Sequence, residues 1–168
     1  MAMKENQKTN SAGAVASANK EGRIEAVFAD KRNQNGGILN VYFTAGFPKK
    51  DDTLRIAKAL ERGGADMLEI GMPFSDPIAD GPVIQESSGR ALANGMNIPT
   101  LFAQLTDLRK HVQVPVLLMG YLNPILQYGM EQFLADCSRV GVAGLIIPAL
   151  PLREFLDHYE AHFREREL

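Results

Sequence analysis

The chain has 168 residues, which is enough for one domain with a hydrophobic core. Hydrophobic residues make up 45% of it and charged residues 23%, as in ordinary soluble globular proteins. A formal net charge of -2 gives no basis for binding nucleic acid or an anionic membrane surface. No stretch approaches the roughly 18 consecutive apolar residues that a membrane-spanning helix needs.

The N-terminal segment 1–22 is polar and rich in small residues, and it contains no aromatic side chain. Its most apolar run, AGAVASA at 12–18, is too weakly hydrophobic for the core of a signal peptide. We predict a disordered tail there. The single cysteine, Cys137, excludes an internal disulfide and indicates a reducing compartment, so a cytoplasmic protein is expected. Its position on the apolar side of a predicted helix favours a core residue over a nucleophile.

After the tail, helical and strand patterns alternate along the chain. The predicted helices cover 22–34, 51–65, 83–95, 100–112, 129–141 and 152–168, and the predicted strands cover 38–45, 67–73, 114–121 and 144–150. This alternation is typical of βαβ units and a parallel sheet. The third and fourth strands read VPVLLMG and GLIIPA, and such nearly unbroken apolar runs suit strands covered on both faces.

Two architectures accommodate four β/α units. One is a complete doubly wound sheet, and the other is the first half of a (β/α)8 barrel, which typically needs about 250 residues. No strand-to-helix turn carries a G-x-G-x-x-G or G-x-x-x-x-G-K-[ST] pattern, so the usual nucleotide-binding reason for an open sheet is missing. Polar residues that could be functional lie toward the C-terminal ends of the strands, namely Thr44, Glu69, Asp80 and Tyr121, and a barrel places its active site at that end.

Glu69 stands in the middle of the apolar second strand. Because side chains alternate along a strand, Leu68 and Ile70 share one face and Glu69 and Gly71 share the other. The two aliphatic side chains suit packing beneath helices, so Glu69 should point into the barrel. A carboxyl in that position, with no lysine or arginine nearby in sequence, is expected to have a raised pKa. Such a group can act as both a proton donor and a proton acceptor near neutral pH.

The loop after the second strand carries two more carboxylates, Asp76 and Asp80, and is stiffened by prolines. Asp80 is either a functional side chain held in place by the loop or the N-cap of the helix that follows. Asp76 is either a turn residue bonded to its own backbone or part of a binding surface. A third possibility is that Glu69, Asp76 and Asp80 together bind Mg²⁺, as in a metal-dependent barrel lyase or aldolase.

The run LEIGMPFSDPIADGPVIQ, residues 68–85, resembles the signature of the tryptophan synthase alpha chain family. The resemblance extends through YFTAGFP at 42–48, LLMGYLNPI at 117–125 and GLIIPALPLREF at 144–155, and it covers about residues 23 to 165. It implies a (β/α)8 TIM barrel, of which residues 23–168 would form about the first four β/α units.

The resemblance also implies a lyase of tryptophan biosynthesis. Members of the family cleave indole-3-glycerol phosphate to indole and glyceraldehyde 3-phosphate without a cofactor or metal. Indole then passes to a beta chain that holds pyridoxal phosphate, in an alpha-beta-beta-alpha tetramer. By position in the motif, Glu69 matches the catalytic acid and base, and Asp80 matches the second catalytic carboxylate.

Further residues receive roles from the same resemblance. Four resemble the lining of the substrate pocket: Tyr42, Ile84, Leu118 and Tyr121. The loop segment around Pro73 and Asp76 resembles the part of the family that contacts the beta chain.

Two departures from the family pattern affect the expected activity. The family continues through four more β/α units, so this chain alone is expected to have little activity, or to act only as an inactive docking partner. The family also carries an aspartate in an Asp-Leu-Pro triplet after the fourth strand, where this chain has Ala149. Without that carboxylate, coupling to the beta chain is expected to be weakened.

Overall fold

Four parallel strands form one sheet in the order β1-β2-β3-β4. They are β1 Asn40–Thr44, β2 Met67–Gly71, β3 Val116–Met119 and β4 Gly144–Ile146. The structure, a computed structural model, describes residues 21–148, 150–166 and 168. Each strand pairs with the next one in the chain, and this sequential order is that of a (β/α)8 barrel. A doubly wound sheet, in which the strand order reverses, is therefore excluded for these strands.

One helix precedes β1, and the other helices follow the strands and cover one side of the sheet. They are α1 Glu21–Asn33, α2 Thr53–Arg62, α3 Pro82–Ala93, α4 Ile98–Gln104, α5 Leu108–His111, α6 Leu122–Tyr128, α7 Met130–Val140, α8 Leu152–Glu154 and α9 Glu160–Glu165. A 3₁₀ turn, Lys50–Asp52, precedes α2, and a π-helical turn, Phe155–Tyr159, joins α8 to α9. Within the described part of the chain, no helix combines the length and apolar character needed to cross a bilayer.

The core lies between the sheet and these helices. The outward-facing residues of β2 and β3, including Leu68, Ile70 and Leu118, are fully buried there. Phe102 and Phe133 pack edge to face nearby, with their ring centroids 5.4 Å apart. Burying a side chain of this size contributes roughly 1.5–3 kcal/mol to stability. The predicted alternation of β2 is therefore confirmed, because the residues between the buried ones face the other side of the sheet.

Several elements differ from those predicted. The predicted helix at 100–112 is two helices, α4 and α5, and it begins earlier because the Asn97 side chain caps the backbone N–H of Thr100 at 2.9 Å. Helix α6 is not among the predicted helices; Pro124 stands in its first turn, where a missing N–H costs no hydrogen bond. The predicted terminal helix at 152–168 is interrupted by the π-helical turn.

Two sequence predictions concern residues that lie wholly or partly outside those that the structure describes. The tail predicted at 1–22 lies outside them for residues 1–20, and α1 begins at Glu21. Ala149, where the family carries an aspartate, also lies outside the described residues. Cys137 is fully buried in α7, as its apolar setting predicted.

A buried carboxylate joins the end of α6 to α7. Asp136 is 7% exposed, and its Oδ2 accepts hydrogen bonds from the Tyr128 hydroxyl at 2.7 Å and the Gln132 amide at 2.9 Å. Its Oδ1 accepts two more from the Arg139 guanidinium, at 3.0 and 2.7 Å. Burial opposes ionisation, but the hydrogen bonds from these three partners outweigh it and hold the pKa of Asp136 below its ordinary value.

We expect Asp136→Asn to lower the free energy of unfolding by about 1–3 kcal/mol at neutral pH, because it breaks hydrogen bonds in a buried network. The folded state favours the ionised carboxylate, so this contribution is present above the unfolded-state pKa, about 3.9, and is lost as the pH falls further. Urea denaturation at pH 7, 4 and 3 measures it.

Asp157→Asn is the matched control, because Asp157 is exposed and its ion pair with Arg153 is 3.6 Å long. We expect it to change the free energy of unfolding by less than about 0.5 kcal/mol. A loss of similar size in both variants would contradict a structural role for the Asp136 network.

Candidate active site

Strand β2 presents Glu69 on the face of the sheet opposite the helix-covered core. In the register of the sheet, Glu69 lies between Tyr42 on β1 and Leu117 on β3. Its side chain is half-buried, and its Oε1 accepts a hydrogen bond from the side-chain amide of Asn40. No lysine or arginine of the described residues forms an ion pair with it. The partner of this carboxyl is therefore a neutral amide.

Asn40 was not singled out in the sequence. The sequence does indicate which face of β1 it occupies, because Asn40 stands two residues before Tyr42 and therefore shares the face of Tyr42. An amide at that position had no evident partner until the pairing of β1 with β2 was known.

Asp80 is held at the end of the loop by Tyr121. The Tyr121 hydroxyl lies 3.4 Å from Asp80 Oδ2, to which it donates, and it accepts the backbone N–H of Ala79 at 2.9 Å. The Tyr121 ring also packs on Phe74, with ring centroids 5.0 Å apart. Three contacts from one side chain thus fix the loop against the end of β3.

The alternative role of Asp80 as a helix cap is wrong. The N-cap position of α3 is Gly81, and no side chain caps that helix end. Pro82 begins α3, where its missing N–H leaves one fewer donor to satisfy. The Asp80 carboxylate is therefore not needed by the helix and is available to a ligand.

Tyr42 lies over Gly71 on the inner face. A Cβ atom added to Gly71 would overlap the Tyr42 hydroxyl, so the absence of a side chain at Gly71 provides the space that the phenol occupies. Burial raises the pKa of Tyr42, and the nearby carboxylates of Asp80 and Glu69 add to this effect. The phenol is consequently neutral near neutral pH, and both carboxylates lie within electrostatic range of it.

A cleft of about 120 Å³ opens beside these groups. Its lining consists of Tyr42, Met72, Phe74, Pro77, Ala79, Asp80, Ser88, Met119, Gly120, Tyr121 and Pro148. Three residues predicted for the site, Tyr42, Asp80 and Tyr121, are part of this lining. Glu69 is not part of it, although it lies next to Tyr42 on the inner face of the sheet. The cleft combines aromatic and aliphatic walls with one carboxylate, as a site for a flat apolar ligand requires.

The prediction that Leu118 lines the pocket is wrong. Leu118 pairs with Ile70 in register, so its side chain points to the helix-covered face, where it is fully buried. Met119, the next residue, faces the cleft instead. Ile84, also predicted to line the pocket, lies half-buried in the first turn of α3 and is not part of the cleft lining.

The start of the β2–α3 loop also lines a larger groove of about 460 Å³. Pro73, Phe74 and Ser75 line it together with residues from the end of α3 to the start of α4 and residues of α6. Asp76 is exposed next to it, and its carboxylate accepts a hydrogen bond from the Ser75 hydroxyl at 2.5 Å. This side-chain contact is not the bond to its own backbone expected of a turn-forming aspartate.

The three carboxylates of β2 and its loop do not converge. Within the ranges that the structure describes, no three histidine, cysteine, aspartate or glutamate side chains are grouped as a metal site requires. The Mg²⁺ alternative required Glu69, Asp76 and Asp80 to share one ion, and the geometry does not bring them together.

The comparisons with known sequences all identify the same family. The sequence profile described as tryptophan synthase alpha chain matches residues 28–166. The tryptophan synthase alpha chain of Parabacteroides distasonis is 55% identical over 129 residues, which cover 77% of this chain and 50% of that protein. The one from Phocaeicola vulgatus is 49% identical over 146 residues, covering 87% and 55%. The chain spans about half the length of the curated relatives it matches.

Solved structures agree with the sequence comparison. Tryptophan synthase subunit alpha from Legionella pneumophila superposes with a TM-score of 0.82 at 37% identity, covering 87% of this chain and 56% of that one. Tryptophan synthase from M. tuberculosis in its aminoacrylate-bound form gives a TM-score of 0.81 at 32% identity, covering 87% and 59%. The fold is therefore that of the TIM barrel, and the four strands described here are four of its consecutive β/α units.

We expect Gly71→Ala to lower the free energy of unfolding by about 1–3 kcal/mol, because the added methyl group overlaps the Tyr42 phenol. The control is Gly89→Ala in α3, where an added Cβ meets no atom within 4 Å. That change should be neutral or stabilising by about 0.5–1 kcal/mol, since alanine favours a helix interior. Thermal and urea denaturation of both variants measure the difference, and equal stabilities would show that the phenol does not occupy this space.

Proposed function

Because the chain belongs to the tryptophan synthase alpha chain family, we propose that it carries the lyase site that cleaves indole-3-glycerol phosphate to indole and glyceraldehyde 3-phosphate in tryptophan biosynthesis. The observation that supports this most directly is the pair Glu69 and Asp80. One is an inward carboxyl with a neutral amide partner, and the other lines a cleft with aromatic walls. A retro-aldol cleavage beside an indole ring needs two such groups in different roles.

Glu69 is the proposed acid and base. Its protonated carboxyl gives a proton to C3 of the indole, which makes that carbon tetrahedral and leaves a positive charge at the ring nitrogen. The resulting carboxylate takes the proton from the hydroxyl on the carbon attached to C3. The bond between these two carbons then breaks, its electron pair restores the aromatic ring, and the oxygen-bearing carbon becomes the aldehyde. One carboxyl therefore serves in both protonation states.

Asp80 is the proposed electrostatic partner of the ring nitrogen. Positive charge develops there only as C3 becomes protonated, so an ionised carboxylate at the N–H stabilises the transition state more than the bound substrate. The hydrogen bond from Tyr121 holds this carboxylate in the cleft before the substrate binds. A preoriented charge needs no reorganisation during the reaction.

The proposed chemistry needs only these side chains, so we assign no cofactor to this chain. Pyridoxal phosphate would belong to a beta chain, the expected partner in an alpha-beta-beta-alpha tetramer. The groove beside Pro73 and Asp76 is the surface that we assign to that contact, because it is apolar, about 460 Å³ in volume and next to the catalytic loop. We place the reaction in the cytoplasm, where a biosynthetic enzyme of this family would meet its substrate.

We expect Glu69→Gln to lower kcat for indole release by about 10²–10⁴-fold, because the amide cannot exchange a proton with the substrate. Asp80→Asn should lower kcat by about 10²–10³-fold through the loss of charge at the ring nitrogen. Glu25→Gln, an exposed change on α1, should leave the rate unaltered. The measurement is a steady-state assay of the full chain, and a Glu69→Gln variant with more than about a tenth of the original rate would contradict the assignment.

The partner assignment has its own test. We expect Asp76→Ala to weaken binding of the beta chain severalfold without changing the free energy of unfolding, because Asp76 is exposed at the edge of the groove. Asp107→Ala, an exposed aspartate that pairs with Lys110 outside the groove, is the control. Calorimetric titration of each variant with the beta chain measures the affinities, and an unchanged affinity for Asp76→Ala would remove this residue from the interface.

A further inference from the structure

Two adjacent serines on α3 are buried beside the cleft. Ser87 is 8% exposed and Ser88 is 4% exposed. A hydroxyl carries one donor and two acceptor lone pairs, and a polar group removed from water is normally hydrogen-bonded. Inside a helix, a serine commonly donates to the carbonyl three or four residues earlier. The partners of each hydroxyl therefore indicate whether the side chain serves the fold or the cleft.

Ser87 serves the fold. Its hydroxyl donates to the carbonyl oxygen of Ile84 at 3.0 Å, and its oxygen lies 2.7 Å from the Thr44 hydroxyl at the end of β1. Thr44 is itself 4% exposed, and Ser87 is not part of the cleft lining. The Ser87 hydroxyl is thus satisfied within the protein, where it joins α3 to β1.

Ser88 differs from its neighbour in both respects. It is part of the cleft lining, and within the described residues its hydroxyl forms no hydrogen bond. In that same part of the chain, the fully buried side-chain oxygens without a partner are Asp52 Oδ2 and Gln104 Oε1, so the Ser88 oxygen is not sealed from solvent. A side chain that is 4% exposed meets solvent only where it borders a cavity. The Ser88 hydroxyl therefore opens to the cleft without a protein partner.

The proposed roles of the two catalytic carboxyls decide which part of a ligand Ser88 faces. Asp80, the proposed partner of the ring N–H, lines the cleft, whereas Glu69 lies outside the lining next to Tyr42. The indole ring would therefore occupy the cleft, and the side chain on C3 would extend toward Glu69. The N–H is the one polar group of an indole ring, and Asp80 accepts it. The Ser88 hydroxyl is thus left facing carbon atoms of the ring.

We propose that Ser88 is a specificity residue for the ring, and that the cleft favours indoles whose six-membered ring carries a neutral hydrogen-bonding substituent such as a hydroxyl group. This inference rests on the proposed function and extends the range of rings that the site accepts. No cationic side chain stands among the described residues of the lining, so a neutral substituent suits this position better than an anionic one.

The physical basis is the cost of an unpaired hydroxyl. A methyl group is close to a hydroxyl group in size, so the walls of the cleft treat the two substituents alike. A methyl group next to Ser88 displaces water and leaves the serine without a partner, whereas a hydroxyl group can either donate to it or accept from it. A site with a polar group to satisfy discriminates against a ligand that lacks the matching group.

The test is calorimetric titration of the full chain with 4-, 5-, 6- and 7-hydroxyindole and with the four corresponding methylindoles. For each ring position, the ratio of the methylindole Kd to the hydroxyindole Kd measures the preference for the hydroxyl group. We expect Ser88→Ala to lower this ratio about 3–10-fold at the position that faces Ser88, the loss of one neutral hydrogen bond. At a position directed away from it, the ratio should change by less than about twofold.

Ser87→Ala is the matched control, because it makes the same chemical change at the neighbouring residue. It removes the bonds to Thr44 and Ile84, so it should lower the melting temperature and leave all four ratios within about twofold of the original. Ser88→Ala removes no hydrogen bond within the described residues, so it should leave the melting temperature nearly unchanged. Circular dichroism confirms that both variants are folded.

The outcomes separate this inference from the proposed function. Ratios that Ser88→Ala leaves unchanged at every ring position, or that Ser87→Ala lowers equally, overturn the role of Ser88 and leave the lyase assignment in place. A ratio that depends on Ser88, in a protein that releases no indole from indole-3-glycerol phosphate, overturns the lyase assignment and supports the ring contact. Failure of the unaltered protein to bind any of these rings overturns the ring contact.

Discussion

The alternation of side chains along β2 is the constraint on which the site depends. Leu68 and Ile70 are drawn into the core because burying them removes apolar surface from water, and this fixes the rotation of the strand. The residues that alternate with them therefore face the other side of the sheet. The same packing that stabilises the sheet thus holds Glu69 at the inner face, and pairing with β1 and β3 sets its height relative to Tyr42 and Leu117.

Much of this arrangement can be read from residues close together in sequence. The strand β2, its inward glutamate and the proline-rich loop follow from local pattern, because alternation and turn chemistry act over a few residues. The sequential order of the strands follows less directly, since a doubly wound sheet uses the same alternation of strands and helices. The two architectures are distinguished by the order of the strands in the sheet, in which each strand pairs with the next one in the chain.

Other features of the site could not be predicted from the local sequence pattern. Leu118 was placed in the pocket and Met119 was not, and the two differ by one step along a strand whose side chains alternate, so a one-residue error reverses the face. Tyr121 contacts loop residues that are 41 and 42 positions away in the sequence. Asn40 contacts Glu69, which is 29 positions away. No local pattern marks such pairs, because they arise only when the strands come together.

Asn40 has a consequence for the proton transfer that we propose for Glu69. An amide carries an N–H donor and a carbonyl acceptor on one planar group, and neither titrates in water near neutral pH. The donor can stabilise a glutamate anion, and the acceptor can receive the O–H of the neutral acid. The Asn40 amide can therefore hydrogen-bond to either form of the carboxyl by rotating about one bond, and the proposed mechanism requires no second titrating group beside Glu69.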